Sequence, residues 1–342
     1  MENRMKLTYE QIKSAAWGVA RVEEKDGYIQ LFRFTKEQEE LYRVVSNDFY
    51  KKSFATAGVR LGFKTNSKKL ALSAIFEQAS SRTYFAVYGM VNCELIGTLD
   101  NCGGGEVYFE NEKENYALGE YKKEFDLPEG ENEVIMYFPW SCRVKISDVS
   151  LDDGASFTPV KREKQILMLG DSITQGYCAV HPSLRYSSLV SDAIGAEERN
   201  KAIGGEIFRP ELAALRDADY EPDYITVAYG TNDWRVQSRE DFYNSCKGFY
   251  ENISKGYPNA KIFAISPIWR ADYKTEKSFG AFSDISKSIK EIVEPLENVI
   301  FIDGFDCVPE DEKYFSDLYL HPNDAGFEHY AKNLAKKIKE YI

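Results

Sequence analysis

The feature that most constrains the fold is a buried-strand pattern that ends on a glycine-bounded polar turn. Residues 165–169 (QILML) form an apolar run with the length and composition of a strand inside a parallel sheet. Residues 170–176 (GDSITQG) follow, and a helical pattern begins near Ser183. Open α/β sheets bind ligands at the carboxyl ends of their strands. Ser172 is therefore predicted to lie in such a crevice, where a nucleophile would be well placed.

Ser172 also has two simpler interpretations. Serine in a strand-to-helix turn commonly caps the helix or shapes the turn. A glycine-rich turn can also cradle phosphate, but the spacing from Gly170 to Gly176 differs from that of a P-loop, and no Lys-Ser or Lys-Thr pair follows. Catalysis is favoured only because three other stretches supply the partners that a nucleophilic serine needs.

The strand and helix patterns divide the chain into two parts. Between about residues 28 and 149, short strand patterns separated by Gly, Asn, Asp and Pro predict an antiparallel β-sandwich, which we take to be jelly-roll-like. Beyond residue 160, strand patterns alternate with helices, which predicts an α/β fold with a parallel sheet. The 342 residues also exceed the usual size of one core. We predict a β-sandwich domain at residues 1–158 and an α/β domain at residues 159–342.

Composition argues against several classes of partner. The formal net charge of −12, from 43 basic and 55 acidic residues, disfavours nucleic acid and anionic membrane surfaces. No apolar run approaches the length of a membrane span, and no apolar leader follows Met1. The six cysteines are scattered without metal-ligand spacing. We therefore expect free thiols, a cytoplasmic location, and no metal or other cofactor. The oligomeric state stays open.

His321 is the best candidate among three histidines for the base that takes the proton of a serine nucleophile. His329 falls within the apolar pattern of the closing helix, where a structural role is favoured, and His181 could line the rim of a pocket. His321 lies in a loop just before that helix, next to Pro322, which restrains its backbone. Asp317 is close enough in sequence to orient the ring.

Two other strand ends offer possible donors to an oxyanion. Residues 200–205 (NKAIGG) follow a weak strand pattern and present backbone N–H groups that no side chain obstructs. Residues 229–234 (YGTNDW) follow the clearest strand, and Asn232 brings a neutral amide donor. Each glycine or asparagine alone is more typical of a turn. Four such stretches in this order indicate a hydrolytic serine site.

Together the four stretches resemble the blocks of the SGNH (GDSL-type) hydrolases, which are named after their Ser, Gly, Asn and His. The resemblance covers residues 160–342 and implies a three-layer α/β domain of flavodoxin-like strand order. It implies that Ser172 is the nucleophile and His321 the base, and that the oxyanion hole consists of Ser172, Gly205 and Asn232. A preceding β-sandwich is similar to the architecture of carbohydrate esterase family two, whose members remove acetyl groups from plant polysaccharides.

The fourth block departs from the family pattern. The family usually has two residues between the last Asp and His, whereas three residues separate Asp317 from His321. On a helical turn the two side chains would still share a face, but in an extended segment they would be too far apart to touch. Asp317 is the favoured partner of His321. Asp303, or a backbone carbonyl as in some family-two esterases, is the alternative.

We therefore predict a serine esterase that deacetylates a small or oligomeric carbohydrate, such as a xylan or mannan fragment, without metal or cofactor. Ser172 would attack, and His321 would move the proton from the hydroxyl to the sugar oxygen. Trp234 and Trp269 are candidates for the wall of the substrate pocket, or ordinary core aromatics. A lipase or thioesterase acting on fatty acyl groups, and a catalytically silent glycan-binding module, are the alternative functions.

Overall fold

The computed structural model describes residues 4–107, 109 and 116–342. In its N-terminal part, short strands are interspersed with three helices. The elements are β1 (Arg4–Lys6), α1 (Tyr9–Ala15), β2 (Ala16–Trp17), β3 (Arg21–Lys25), β4 (Tyr28–Phe32), α2 (Lys36–Val45), α3 (Asn47–Ser53), β5 (Arg60–Thr65), β6 (Lys69–Gln78), β7 (Ala86–Val91), β8 (Glu94–Asp100), β9 (Gly119–Asp126), β10 (Asn132–Tyr137), β11 (Cys142–Asp152) and β12 (Thr158–Pro159).

These strands form two antiparallel sheets that share one apolar core. One sheet has the order β3-β4-β11-β6-β9, with β1 paired to β11, and the other has the order β12-β5-β10-β7-β8, with β2 paired to β5. Alternate side chains of β6 point into the core, where Leu70, Leu72 and Phe76 are buried. Val134 and Met136 of the other sheet join the same core. The antiparallel pairing agrees with the strand pattern of the sequence.

The helices α1 and α2 were not predicted, although both carry a readable start signal. Thr8 caps α1 and Thr35 caps α2, and each threonine exchanges hydrogen bonds with a glutamine three residues later. This arrangement is a capping box, which satisfies otherwise unpaired N–H groups of the first turn. α3 follows α2 directly and brings Lys52 to the functional site described below.

In the C-terminal part, strands alternate with helices. The elements are β13 (Lys164–Gly170), α4 (Ser172–Gln175), α5 (Tyr186–Ala193), β14 (Ala196–Asn200), α6 (Pro210–Ala214), β15 (Tyr224–Ala228), α7 (Thr231–Val236), α8 (Arg239–Gly256), β16 (Lys261–Ile265), α9 (Phe282–Val293), β17 (Val299–Ile302) and α10 (Asp324–Lys339), with 3-10 turns at Pro182–Leu184, Phe305–Cys307 and Glu312–Tyr314. The five strands are parallel in the order β14-β13-β15-β16-β17. This is the flavodoxin order.

Helices cover both faces of the parallel sheet. Ile166 and Met168 of β13 share a core with α5 and α10, whereas Leu167 and Leu169 of the same strand face α8 and α9. A strand that is buried on both faces has apolar residues at successive positions, which explains the apolar run at residues 165–169. The predicted α/β fold with a parallel sheet is confirmed. Within the described residues, no helix is long and apolar enough to cross a membrane.

A buried ion cluster joins the two parts of the chain. Arg60 of β5 contacts Glu198 of β14 at 3.3 Å and Asp192 at 2.6 Å. Arg185 contacts the Glu198 carboxylate at 3.2 Å. Burial alone would raise the pKa of Glu198, but Arg185 and Arg60 lower it to about 2. The pairing keeps Glu198 charged inside the protein, where an unpaired charge would be costly.

Candidate active site

Four loops at the carboxyl edge of the parallel sheet surround one cleft of about 420 Å³. Ser172 begins α4 directly after β13, Gly205 follows β14, and Asn232 lies in the first turn of α7 after β15. His321 and Asp317 come from the loop before α10. All five side chains or backbones line the cleft. The topology therefore brings together residues that the sequence separates by up to 149 positions.

A chain of two hydrogen bonds links the serine, the histidine and the carboxylate. The Oγ of Ser172 lies 2.9 Å from Nε2 of His321, and Nδ1 of His321 lies 2.7 Å from Oδ2 of Asp317. A carboxylate only accepts, so Nδ1 carries the proton and Nε2 is free to accept from the serine hydroxyl. The Ser172 side chain is nearly buried, at 6% exposure. The arrangement can transfer a proton from serine to histidine.

The extra residue in the fourth block is accommodated by a tight turn around the Asp317 carboxylate. Its Oδ1 accepts the backbone N–H groups of Tyr319 at 3.0 Å, Leu320 at 2.7 Å and His321 at 3.0 Å. Leu318 takes a left-handed conformation, with φ of +52°. Burial alone would raise the pKa of Asp317, but the hydrogen bond and charge of the His321 ring, together with the Leu320 and His321 N–H groups, lower it to about 2. Asp317 is thus held ionised beside the ring.

The two peptide groups on either side of the Gly204 α-carbon are both held by hydrogen bonds. The N–H of Gly204 donates to Oε1 of Gln175 at 2.8 Å, and its carbonyl accepts from Nζ of Lys52 at 2.9 Å. Gly205 has φ of +91°, which favours glycine. The Gly205 N–H belongs to the same peptide plane as the Gly204 carbonyl, and it has no hydrogen-bond acceptor among residues 4–107, 109 and 116–342. This N–H is available to a ligand in the cleft.

The Asn232 amide and the Ser172 N–H complete a set of donors. Nδ2 of Asn232 donates one hydrogen to the Glu206 carbonyl at 3.0 Å, which orients the amide and leaves its second hydrogen available. Ser172 is the first residue of α4, so its N–H has no acceptor within that helix. Asn232 is 7% exposed and lines the cleft. Three donors from three loops therefore lie on one cleft.

Two buried aspartates shape the turns that carry these donors. Asp171 caps α4 by accepting the Ile173 N–H at 2.9 Å. Asp233 accepts the N–H groups of Gly230 and Phe208, each at 3.0 Å. Burial raises the pKa of Asp171 to about 6 and that of Asp233 to about 7. Both side chains organise backbone rather than face the cleft.

The two predicted pocket tryptophans do not line the cleft, and this part of the prediction is corrected. Trp234 is fully buried between the sheet and α9, and its indole N–H donates to the Gly280 carbonyl at 2.9 Å. Trp269 is 6% exposed and packs on Phe315, with ring centroids 5.0 Å apart. Both are core aromatics, which was the alternative interpretation of these two residues.

The alternative partners of the catalytic candidates lie elsewhere. Asp303 accepts from the Ser266 hydroxyl at 2.9 Å and from the Phe305 N–H at 3.1 Å, away from His321. His181 pairs with Asp324. His329 packs on the Tyr314 ring, with centroids 4.8 Å apart. His321 is thus the one histidine of the three that contacts Ser172.

Most of the cleft wall was not predicted from the sequence. Cations of both parts line it, together with aromatic side chains: Lys52, Arg82, Arg235, Arg270, Phe109, Tyr177 and Tyr319. The Tyr177 ring lies 5.0 Å from the His321 ring. Across the described ranges, no group of three or more His, Cys, Asp or Glu side chains could hold a metal ion.

Comparison with known proteins gives a family for the α/β part. Residues 168–329 match the GDSL-like lipase/acylhydrolase family. No curated protein matches the chain.

Several solved structures share the fold over nearly the whole chain. The salicylyl-acyltransferase SsfX3 of a tetracycline biosynthetic pathway is 20% identical, with 99% of this chain and 97% of that chain covered and a TM-score of 0.79. A family two carbohydrate esterase from Cellvibrio japonicus is 17% identical, with 99% and 98% covered and a TM-score of 0.68. An acetyl xylan esterase from the rumen bacterium Butyrivibrio proteoclasticus is 15% identical, with 99% and 98% covered and a TM-score of 0.65. The α/β part of the chain belongs to the SGNH (GDSL-type) hydrolase superfamily, and the protein is an ester-hydrolysing enzyme.

Proposed function

We propose that this enzyme removes O-acetyl groups from carbohydrate, with Ser172 as nucleophile, His321 as general base and acid, and Asp317 as the residue that orients the ring. The observation that carries the proposal is the hydrogen-bond chain of 2.9 and 2.7 Å through these three side chains. Such a chain gives the serine its base and gives the base a fixed tautomer.

The reaction follows from the positions of the groups. As Oγ of Ser172 attacks the acetyl carbonyl, Nε2 of His321 takes the hydroxyl proton, and the carbonyl oxygen becomes an oxyanion. The N–H groups of Ser172 and Gly205 and the Asn232 amide donate to that oxygen. When the ester C–O bond breaks, His321 returns the proton to the sugar oxygen and an acetyl-enzyme remains. A water molecule then attacks the acetyl-enzyme while His321 takes its proton. The bond from Oγ of Ser172 to the acyl carbon breaks, His321 returns the proton to Oγ, and acetate leaves.

Asp317 stabilises the imidazolium that forms during each attack. Its carboxylate is held by three backbone N–H groups, so it does not need to reorganise when the ring becomes charged. An acetyl carbohydrate is favoured over a fatty acyl ester because three arginines, a lysine and several polar side chains line the cleft, and a long acyl chain needs an apolar groove. The likeness to the carbohydrate esterases over the whole chain supports the same substrate class.

The proposal includes a domain organisation. We place a jelly-roll-like β-sandwich at residues 1–158 and the α/β domain at residues 159–342. The two antiparallel sheets with a shared core support the first assignment. Lys52, Ser81, Arg82 and Phe109 come from the N-terminal part and line the cleft. The β-sandwich is therefore part of the substrate site.

The test compares purified parent enzyme with Ser172→Ala on acetylated xylan and mannan oligosaccharides, on longer-chain esters and on acyl thioesters. We expect release of acetate by the parent and a loss of at least a thousandfold in the variant. Ser283→Ala, an exposed serine of α9 that does not line the cleft, is the matched control and should keep the activity of the parent. Ser172→Ala activity within about tenfold of the parent, roughly 1.4 kcal/mol in the barrier, would reject the nucleophile. A preference for long-chain esters or thioesters would reject the substrate class.

A further inference from the structure

The cleft around Ser172 is strongly cationic, in a chain whose formal net charge is −12. Four cations line it, Lys52, Arg82, Arg235 and Arg270, and the one lining carboxylate among the described residues is Asp317. Asp317 already pairs with His321. The reaction proposed above needs none of the three arginines, because it uses neutral donors for the oxyanion. Their presence in the cleft therefore calls for another explanation.

Two of the four cations are occupied by the protein itself. Lys52 pairs with Asp48 at 2.6 Å and donates to the Gly204 carbonyl. Arg270 is 2% exposed; it pairs with Asp272 and donates to the Thr231 hydroxyl at 2.9 Å. These two side chains hold loops in place and have little capacity for a ligand.

Arg82 is available to a ligand. Within the described parts of the chain, no carboxylate lies within 4 Å of its guanidinium, and its Nε is shielded from solvent without a hydrogen-bond acceptor. The guanidinium lies beside the Cys178 thiol, which is only a weak acceptor. It sits 5.7 Å from the centre of the Tyr177 ring, which in turn packs on His321. Ser80 holds the Arg82 backbone with two hydrogen bonds of 3.0 Å.

Arg235 approaches from the other part of the chain. It lies in α7 three residues after Asn232, so both side chains share the face of α7 that lines the cleft. Arg235 is exposed, and the described residues offer it no carboxylate partner within 4 Å. Two guanidinium groups from different parts of the chain thus line the cleft with the nucleophile, and the described residues offer neither of them a counter-charge. Neutral sugars do not need such a pair, whereas carboxylates and phosphates bind the guanidinium fork in a bidentate manner.

We propose that the carbohydrate bears an anionic group, a carboxylate or a phosphate, which Arg82 and Arg235 bind while its acetyl ester reaches Ser172. This inference rests on the proposed esterase function and specifies its substrate class. The group lies on the sugar and not on the acyl chain, because acetyl has no atom left to carry it. Attraction by two partly exposed guanidinium groups is screened by salt, so the preference should weaken at high ionic strength.

Three monoacetylated probes separate the possibilities: a methyl glucoside, the corresponding methyl glucuronoside, and glucose 6-phosphate. We expect KM to be at least about tenfold lower for one or both anionic probes than for the neutral one, and the ratio to shrink between 50 and 500 mM NaCl. A lower KM for the glucuronoside would indicate recognition of a carboxylate, and a lower KM for glucose 6-phosphate would indicate recognition of a phosphate. Arg82→Gln and Arg235→Gln should each reduce the ratio. Arg43→Gln, an arginine of α2 that pairs with Glu40 on the surface, should leave it unchanged.

Equal KM values for all three probes, or a lower KM for the neutral one, would overturn the inference while leaving the esterase function intact. Failure to hydrolyse any of the probes would count against the proposed function instead. In that case, titration calorimetry with the unacetylated glucoside, glucuronoside and sugar phosphate still decides the inference, because binding needs no turnover. The inference is supported if an anionic sugar binds more tightly than the neutral one and if both arginine variants lose this difference. It is overturned if the sugars bind without such a preference, or if none of them binds. If Arg82→Gln unfolds, the exposed Arg235→Gln carries the test alone.

Discussion

Replacing Asp317 with asparagine tests the departure of the fourth block from the family pattern. The three backbone N–H groups around Oδ1 require an acceptor there, so the asparagine oxygen should take that place and its NH2 group should face Nδ1 of His321. Nδ1 must then accept, and the ring proton moves to Nε2. That proton faces the Ser172 hydroxyl, so the ring can no longer accept from it.

The expected loss is therefore large. The same exchange in a serine protease triad costs about ten-thousandfold in turnover through the wrong tautomer. We expect a fall of about 10³ to 10⁴ in kcat, equivalent to about 4–5.5 kcal/mol in the barrier, with a small change in KM. The turn keeps its backbone hydrogen bonds, so the fold should survive.

The assay measures kcat and KM for acetate release from an acetylated oligosaccharide, with thermal unfolding to verify the fold. Asp303→Asn is the matched control, because Asp303 was the alternative partner and contacts Ser266 and not His321. It should keep kcat within a fewfold of the parent. A folded Asp317→Asn enzyme with kcat within severalfold of the parent would refute the role of Asp317, and a large loss in Asp303→Asn would transfer that role to Asp303.

Three further outcomes follow from the geometry. Asn232→Ala should lower kcat by about a hundredfold or more with little change in KM, since an oxyanion donor acts mainly in the transition state; a raised KM with unchanged kcat would contradict it. Lys52→Met should lower kcat by about ten- to a hundredfold by releasing the Gly204–Gly205 peptide, whereas Lys51→Met, exposed in the same helix, should not. Glu198→Gln should lower the free energy of unfolding by about 3–5 kcal/mol, measured by urea denaturation, because it removes the carboxylate partner of the buried Arg185 and one of the two partners of Arg60. Since the folded-state pKa of Glu198 lies below that of an unfolded glutamate, its contribution is present above about pH 4 and is lost as the pH falls towards 2, so the variant should show less of this acid destabilisation.

Much of the α/β part could be predicted because its strands are buried on both faces. The run at residues 165–169 lies within β13 (Lys164–Gly170), and the alternation of strands and helices predicted beyond residue 160 continues to α10 (Asp324–Lys339). Ser172 and His321 lie in short segments next to such elements, and Oγ of Ser172 lies 2.9 Å from Nε2 of His321. Periodicity and short motifs are local signals, so they locate these residues well.

Trp234 shows that local sequence patterns do not predict which residues near a motif face the cleft. Asn232 and Arg235 are three residues apart in α7 and share its cleft face, but Trp234 is two residues from Asn232 and points to the opposite side. That side packs on Phe282 of α9, with ring centroids 4.9 Å apart. Proximity to a motif in sequence therefore predicts neither contact with the cleft nor exposure. The position of a residue around the helix decides whether its side chain faces the cleft, and the bounds of α7 were not predicted.

The loop at residues 200–205, which carries the proposed oxyanion donor Gly205, depends on residues that no local pattern could have assigned to it. The buried guanidinium of Arg33 donates to the carbonyls of Asn200 at 2.9 Å and Ala202 at 3.0 Å, and Lys52 donates to the carbonyl of Gly204. These three carbonyls alternate along the loop, so the N-terminal part binds one edge of the backbone while the Gly205 N–H is left for the cleft. A glycine-containing loop is intrinsically flexible, and an oxyanion donor is effective only when its direction is fixed before the reaction. The N-terminal part thus supplies rigidity to a site whose reactive groups all belong to the α/β part.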